Sequence, residues 1–490
     1  MKYLFFTITV MLTVPALVFL LQDRKLIRWS VCALVLPLCI FNQTAINFFS
    51  EEKYRGSARG LEVSLIYIAA LTLLMTFTVL HGKRRLLPEA GARIYLIYFL
   101  FCLPSLANSP NVLFSFFEIW KMIMVYLVFL AVYYYLEFTD GDVDTLLYSV
   151  AILVAINTVT VLLQHFVYGK YQTRGVFPHQ NSMAMYMAMA GLIFLSRYIN
   201  VPDRRGSRIF FFAFLLASFC VVRSYSRGAI FCYPIGGILT LISSMRGGLS
   251  LRKLRKLSLI ILLGVLGLSL LAHRIVERFQ KAPEASAQTR KNLAVAAVNM
   301  VRDKTFIGIG INNWGICINP PYNYSRHRDW NKGWTDEHQD GIVETIYLLV
   351  AAECGIPCLL VLLIWFGYYW FSCIFLLKKL RMTNYYFLPA GALGALTSVY
   401  LQSILEWVLK QQMNLIWLMT IFGCISFLNR HHEQLVAPLL AYEHKQQPVP
   451  PEEIPEPAPA GAGTPAGGAS YISVDQSGNI RLSENTRRNR

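Results

Sequence analysis

Charged residues are scarce in this chain of 490 residues. They make up 15% of the sequence, against 55% for hydrophobic residues, and the mean hydropathy is +0.45. Soluble domains carry roughly 25% charged residues. An ordinary soluble globular protein is therefore excluded for most of the chain.

Several signatures of chemistry are also missing. No cysteines and histidines have the spacing of a zinc site, and nine of the ten cysteines fall in or beside apolar runs, which favours no disulfide framework. The Gly-Ile-Gly turn at 308–310 lacks the strand–helix unit of a dinucleotide site. The sequence therefore predicts neither a metal nor a cofactor.

Long apolar runs are what the chain has in abundance. A helix needs about 20 predominantly apolar residues to cross a bilayer, and helices satisfy their own backbone polar groups inside lipid. We therefore predict an all-α, polytopic transmembrane bundle of about 12–13 spans. The predicted spans are residues 3–21, 29–49, 61–80, 92–106, 112–137, 146–167, 181–198, 208–222, 228–244, 257–272, 355–376, 384–404 and 412–428.

The distribution of lysine and arginine predicts the orientation. The loops near 24–28, 83–85, 204–208, 246–256 and 378–381 are richer in these residues than the alternate loops, so they are predicted to be cytoplasmic. The polar segment 273–341 then forms one large periplasmic loop, with the amino terminus outside and the carboxyl terminus inside. The first run lacks a small-residue cleavage site, which favours a retained span over a signal peptide.

The net charge of +17 does not require nucleic acid, because it arises largely from this bias and suits the anionic head groups of a lipid bilayer. We divide the chain into a membrane-embedded domain, 1–443, and a tail, 444–490. The tail is dense in Pro, Ala and Gly, so it is predicted to be disordered and cytoplasmic. Within it, a short hairpin around Ser477-Gly478 is possible.

Two arginine-containing loops lie at predicted outer ends of spans. Arg174 precedes a helix start at which Asn181 or Ser182 would be the cap, and free N–H groups there favour an anion such as a diphosphate. Arg223 and Arg227 lie outside, against the positive-inside rule, and guanidinium groups bind phosphate with two hydrogen bonds. The alternatives are a capped helix and arginines that extend to the membrane interface.

The large loop and the span entry after it contain candidate proton acceptors. His338 and Glu344 lie where the chain returns to the membrane, and either side chain could take a proton from a sugar hydroxyl. Caps and solvated loop charges are the alternative interpretation. Within a span, Glu118 and Lys121 are three residues apart on one helical face and could pair.

Four segments in order resemble the bacterial O-antigen ligase and O-antigen polymerase family. They are RGVFPHQNSMAMY, SYSRGA, TRKNLAVAAVNMVRDKTFIGIGINNW and ETIYLLVAAECGIPCLLVLL, and the resemblance extends over about residues 113–427. It implies an inverting, metal-independent glycosyltransferase in the bacterial inner membrane, acting at the periplasmic face. The donor would be a glycan on undecaprenyl diphosphate, and the acceptor a sugar hydroxyl of lipid A-core or of a growing polysaccharide.

The resemblance also implies residue roles. Arg174, Asn181, Arg227 and Arg290 match the family's substrate-binding pattern, with Arg223 as a further candidate, and Glu353 and Gly355 match its Glu-x-Gly. The family usually has His-Asn or Asp eleven residues before that glycine, where this chain has Glu344-Thr345. The base is therefore Glu344 or His338, and ligase and polymerase both remain open.

Other interpretations remain at this stage. Trp314, Trp330 and Trp334 are either sugar-stacking residues or membrane anchors. A transporter or an envelope-assembly scaffold would also be polytopic. A transporter would usually show an internal repeat, which is not apparent here, and a scaffold would not explain the outer arginines.

Overall fold

The computed structural model describes residues 23–82, 85–280, 284–322, 324–325 and 341–446, with scattered positions before residue 19 and two short strands near the carboxyl terminus. Helices dominate the described chain, which confirms the all-α fold. The α-helices are α1 (Arg24–Ser30), α2 (Cys32–Val35), α3 (Phe41–Thr44), α4 (Leu65–His81), α5 (Ala90–Cys102), α6 (Val112–Phe138), α7 (Val143–Leu162), α8 (Gln180–Asn200), α9 (Arg204–Arg223), α10 (Arg227–Arg246), α11 (Leu251–Gln280), α12 (Glu284–Asp303), α13 (Trp314–Cys317), α14 (Ile346–Cys354), α15 (Ile356–Lys379), α16 (Phe387–Leu405) and α17 (Gln412–Gln446).

Short elements complete the described chain. Antiparallel strands β1 (Ile46–Phe48) and β2 (Leu61–Val63) form a small ladder, and β3 (Ile472–Val474) pairs with β4 (Ile480–Leu482) in the tail. The second pair has the register of a hairpin centred near Ser477. The 3-10 and π-helical turns are Leu36–Ile40, Leu103–Asn108, Leu163–Val167, Asn384–Tyr386 and Val408–Lys410.

Nine of the predicted spans correspond to helices that are long and apolar enough to cross a membrane, counted over the described residues. They are Ala90–Asn108, Val112–Phe138, Val143–Val167, Gln180–Asn200, Arg204–Arg223, Arg227–Arg246, Ile356–Lys379, Asn384–Leu405 and Gln412–Ala437. The span predicted at 61–80 is the shorter apolar helix Leu65–Leu80, and that at 257–272 lies within α11. Most of 3–21 lies outside the described residues. The chain is a multi-pass membrane protein.

The prediction of a continuous span at 29–49 is wrong. The helical part of this segment is divided into α1, α2, a 3-10 turn and α3, and residues from Ile46 onward form β1. Pro37 is near the start of the 3-10 turn, where its missing N–H and its ring break a regular α-helix. Strand pairing with β2 then satisfies the backbone of the last residues.

Helix α8 forms the centre of the bundle. Every residue from Ser182 to Ile199 is buried, and α9, α10 and α16 pack around it. Small residues allow the neighbouring backbones to approach closely. A Cβ on Gly394 of α16 would lie 2.4 Å from the carbonyl oxygen of Gly236 on α10, so glycine is required at this crossing.

Successive long helices run in opposite directions, so their connections alternate between two ends of the bundle. At one end, which we call the loop end, the polar segment before α14 meets the other predicted site segments. The loop end comprises residues 46–64, 103–111, 168–179, 224–226, 284–322, 341–345 and 406–411.

A buried network of four charges lies beneath the loop end. Lys121 is 2.6 Å from Glu118, which confirms the predicted pair, and Lys410 lies 3.5 Å from Glu118 and 3.0 Å from Glu353. All four side chains are almost fully buried. Two positive and two negative charges therefore balance, and we call this group the charge network.

We predict that removing one cation from the charge network destabilises the fold. Lys410→Met leaves Glu353 without its partner, and breaking a buried ion pair typically costs about 3–5 kcal/mol. The Lys410→Met/Glu353→Gln double variant removes one charge of each sign. Its unfolding temperature in detergent should lie above that of Lys410→Met. Equal unfolding temperatures for Lys410→Met and the unchanged protein would contradict a stabilising charge network.

Candidate functional site

The polar segment is attached to α14 through its Gly-Ile-Gly turn. The N–H of Gly310 donates to the carbonyl oxygen of Glu353 at 3.0 Å, and Gly308 has a φ of 69°. A Cβ on Gly308 would lie 2.3 Å from the Glu353 backbone, and one on Gly355 would lie 2.2 Å from the carbonyl oxygen of Phe306. The two glycine patterns of the sequence therefore pack against each other, because only glycine permits this approach.

Asn312, which the sequence analysis did not single out, joins three segments of the loop end. It has a φ of 55°, and its amide oxygen accepts from the backbone N–H groups of Ser57 and Ala58 at 2.8 and 3.2 Å. Its amide nitrogen donates to the carbonyl oxygen of Phe114 at 2.7 Å. These contacts hold the segment after β1, the start of α6 and the polar segment together.

Arg290 and Glu344 form an ion pair at the loop end. The guanidinium on α12 lies 3.8 Å from the carboxylate, and both side chains are about one-third exposed, at 36% and 35%. Desolvation raises the pKa of Glu344, while the positive charge of Arg290 lowers it. The structure thus brings together a predicted substrate-binding arginine and the predicted base.

A second carboxylate, Glu406, lies close to this pair and was missed by the sequence analysis. It is 2% exposed, and it accepts hydrogen bonds at 3.0 Å from Ser226 and at 3.0 Å from Gln402. The pKa of Glu406 is raised to about 7, chiefly by burial; the hydrogen bonds from Gln402 and Ser226 lower it, the charge of Glu344 raises it, and the charge of Arg290 lowers it. In the sequence, Glu406 is a single acidic residue after an apolar span, and nothing there indicated that it would lie close to Glu344 and Arg290.

The Ser-Arg-Gly turn, residues 226–228, begins α10 and lies in contact with Glu406. Ser226 is the amino-terminal cap of α10, since its hydroxyl accepts from the N–H of Ala229 at 3.3 Å. Arg227 is the first residue of the helix and is partly buried. A Cβ on Gly228 would lie 3.1 Å from a carboxylate oxygen of Glu406. The glycine of this motif therefore permits the close approach of Glu406 to the turn.

Arg223 is buried and bonded within the protein. One terminal nitrogen lies 2.5 Å from Nδ1 of His165, and the other donates to the hydroxyl of Tyr225 at 3.2 Å. The backbone carbonyl of Arg223 accepts from Thr173 at 3.1 Å, which ties the Arg174 loop to the Ser-Arg-Gly turn. These contacts fit a positioning role for Arg223 better than direct contact with substrate.

The Arg174 loop has a defined shape because Gln164 completes its hydrogen bonds. The amide oxygen of Gln164 accepts from the N–H groups of Arg174 and Gly175, each at 2.9 Å, and its nitrogen donates to the carbonyl of Gly175 at 2.8 Å. The exposed guanidinium of Arg174 donates to the carbonyl of Pro178 at 3.0 Å. Nothing in the local sequence pattern had indicated Gln164.

Two predicted details are wrong. The cap of α8 is His179, whose Nδ1 accepts from the N–H of Asn181 at 3.2 Å, so Asn181 is within the first helical turn. His179 comes before Asn181 and Ser182 in the chain, and its imidazole accepts the hydrogen bond that a cap residue accepts.

Trp314 is fully buried and donates to the carbonyl of Gly341 at 3.1 Å, so it is a core residue and not a sugar platform. His338, Trp330 and Trp334 lie outside the described residues.

Three buried thiols lie next to the charge network. The sulfur atoms of Cys102, Cys354 and Cys358 are within 4.8 Å of one another. Their grouping has no sequence signal, because Cys102 is on α5 and the other two flank the break between α14 and α15.

Comparison with known proteins adds one finding. Residues 212–363 match the sequence model of the O-antigen ligase family, and this range contains Arg223, Arg227, Arg290 and Glu344. No curated protein is significantly similar to the chain. The matched range begins within α9, includes the polar segment and ends near the start of α15. The matched family agrees with the resemblance noted from the sequence. Residues 212–363 therefore resemble an O-antigen ligase domain, and this resemblance supports a function in glycan transfer.

Proposed function

We propose that this protein transfers a glycan from undecaprenyl diphosphate to an acceptor sugar hydroxyl at the periplasmic face of the inner membrane. The acceptor is lipid A-core or a growing polysaccharide. The observation that carries the proposal is the Arg290–Glu344 pair at 3.8 Å, which lies inside the matched O-antigen ligase range. A partly exposed cation–carboxylate pair at one end of a membrane bundle offers both an anion contact and a proton acceptor.

In this proposal Glu344 is the general base. It takes the proton of the acceptor hydroxyl as that oxygen attacks the anomeric carbon. The bond from the anomeric carbon to the phosphate oxygen breaks, so that undecaprenyl diphosphate leaves and the configuration is inverted. Arg290 supports this role because its charge holds the Glu344 carboxylate in place and keeps it ionised at lower pH. His338 remains the alternative base.

Arg174 and Arg227 are proposed to bind the diphosphate. Charge on the leaving phosphate grows in the transition state, and fixed cations at a low-dielectric boundary stabilise it strongly. Asn181, in the first turn of α8, is proposed to contribute to the same anion site. Arg223 is assigned as a positioning residue, since its contacts with His165 and Tyr225 fix the turn that carries Arg227.

Glu406 is proposed as a second positioning residue. Its bond to Ser226 holds the cap of α10, and its closeness to Glu344 and Arg290 couples the turn to the base. Because it is 2% exposed, we assign it no direct contact with substrate.

The first prediction for this function concerns the base. Glu344→Gln should abolish transfer without weakening donor binding, because the amide keeps the shape and loses basicity. The matched control is Glu433→Gln, an exposed residue of α17 at the opposite end. Transfer is measured with purified protein and the lipid-linked glycan that accumulates in a deletion strain. Wild-type turnover of Glu344→Gln would remove Glu344 as the base and leave His338.

The pH profile provides an independent readout. A base must be deprotonated, so activity falls as the pH drops through its pKa. Because desolvation raises the pKa of Glu344, the acid limb should lie above the ordinary glutamate value of about 4.3. Arg290→Ala removes a charge that lowers this pKa and should move the limb to higher pH. Arg302→Ala, an exposed change on the same helix, should leave the limb in place.

A second prediction concerns the diphosphate contacts. Arg174→Ala or Arg227→Ala should reduce turnover at least about a hundredfold, because one oxyanion-type donor contributes about 3–4 kcal/mol. Lysine should restore activity only in part, since it lacks the planar pair of donors. Full activity of both alanine variants, with normal protein levels in the membrane, would exclude the diphosphate role.

A third prediction tests the face at which transfer occurs. In a Cys32→Ser/Cys39→Ser background, single cysteines replace the exposed residues Lys304 at the loop end and Met382 at the opposite end. A membrane-impermeant maleimide should label position 304 from the periplasm and position 382 only after lysis. The reverse pattern would place the loop end in the cytoplasm and contradict the proposed face.

A further inference from the structure

A polar cavity lies at the loop end, apart from the Arg290–Glu344 pair. Its volume is about 260 Å³. The β1–β2 segment, α6, the Arg174 loop and the turn before α17 enclose it. Its lining comprises Phe41, Asn47, Gly56, Ser57, Ala58, Arg59, Gly60, Glu62, Trp120, Lys121, Pro178, Trp407, Gln411, Gln412 and Met413.

Glu62 and Asn47 are cross-strand neighbours that both line this cavity. They are paired in the register of β1 and β2, and the indole N–H of Trp120 donates to the carbonyl oxygen of Glu62 at 3.0 Å. With the Gln412 amide oriented to satisfy its neighbours, its nitrogen lies 2.7 and 3.2 Å from the two carboxylate oxygens of Glu62, and its oxygen accepts from Tyr67. Burial raises the pKa of Glu62 to about 7, and Lys121 lowers it.

The polar groups that line the cavity differ in whether they already have hydrogen-bond or ion-pair partners within the protein. The ammonium of Lys121 already contacts Glu118 at 2.6 Å and two backbone carbonyl oxygens at 3.0 and 3.1 Å. The buried amide oxygen of Gln411, by contrast, has no hydrogen-bond partner among the described residues. A buried acceptor without a partner costs stability, and a ligand hydroxyl that reached it from the cavity would satisfy it.

We propose that this cavity is a sugar-binding subsite that holds one neutral sugar residue of the glycan. The rings of Trp120 and Trp407 offer apolar faces for the C–H surface of a sugar, while Glu62, Asn47 and Gln411 offer acceptors and donors for its hydroxyls. The volume lies just below the range of about 300–1,000 Å³ for drug-sized ligands. The cavity therefore fits a single sugar residue, with the rest of the glycan continuing outside it.

The cavity adjoins the proposed transfer site on two sides. Trp407 follows Glu406 in the chain, and the carbonyl of Pro178, another lining residue, accepts from Arg174. A sugar in the cavity would thus lie between the diphosphate contacts and the Glu406 turn. This inference rests on the proposed glycan transfer, and it adds a residue-level determinant of which glycan is used. The bound sugar belongs to the donor or to the acceptor, and the experiment separates the two.

The decisive variant is Gln411→Met. It removes the unpartnered oxygen at similar volume, so the unfolding temperature should stay the same or rise. Sugar binding should nevertheless weaken at least about threefold, the effect of one lost hydrogen bond. Glu62→Ala should also weaken binding at least about threefold, because it removes a carboxyl group that hydrogen-bonds a sugar hydroxyl. Glu52→Gln, an exposed carboxylate of the same segment, is the control and should bind normally.

Binding is measured by saturation-transfer NMR on the full-length protein in nanodiscs. The probe is the oligosaccharide released by mild acid from the lipid-linked pool of a deletion strain. Michaelis constants then identify the source of the sugar. A rise for the lipid-linked donor alone assigns the subsite to the donor, and a rise for the acceptor alone assigns it to the acceptor.

The outcomes separate this inference from the proposed function. If Gln411→Met and Glu62→Ala both bind the oligosaccharide like the unchanged protein and leave the Michaelis constants of donor and acceptor unchanged, the subsite is excluded even when transfer depends on Glu344. If their binding is weakened while the unchanged protein transfers no glycan, the subsite stands and the transfer proposal fails.

Discussion

The arrangement of the loop end depends on the charge network of Glu118, Lys121, Glu353 and Lys410. Each charge would be costly to bury alone, and the four are buried together only because α6, α14 and the turn after α16 meet at one place. Removing α14 or the turn after α16 would leave a charge of the opposite sign inside the bundle. The network therefore selects one packing of these elements, and that packing fixes the positions of the residues around it.

The proposed chemistry uses residues that flank this network without belonging to it. Glu344 precedes α14, whose carboxyl end carries Glu353, and Glu406 and Trp407 precede Lys410 by only a few residues. A shift of either network residue would move one side of the site relative to the other. This arrangement explains how a site assembled from distant segments stays ordered although its functional side chains remain partly exposed.

Local patterns predicted much of this structure, and long-range contacts limited the rest. Apolar run length located nine spans, and spacing along one helix predicted the Glu118–Lys121 pair. The Lys410–Glu353 pair, the Gln164 contacts and the Glu406–Ser226 bond join residues far apart in the chain or outside any motif, so periodicity carried no sign of them. The error at 29–49 had a different cause: hydropathy alone ignores Pro37 and the capacity of residues 46–48 to pair as a strand.

The two carboxylates beside Arg290 point to a division of roles. When Glu344 is ionised, its negative charge raises the pKa of Glu406, because two nearby negative charges repel each other. Glu406 is the more deeply buried and lies without a direct ion pair among the described contacts, whereas Glu344 has Arg290 at 3.8 Å. Burial therefore raises the pKa of Glu406 to about 7, whereas the positive charge of Arg290 opposes the rise that desolvation causes for Glu344. Glu344 is partly exposed and has a neighbouring cation, and that cation favours the ionised form that a general base requires.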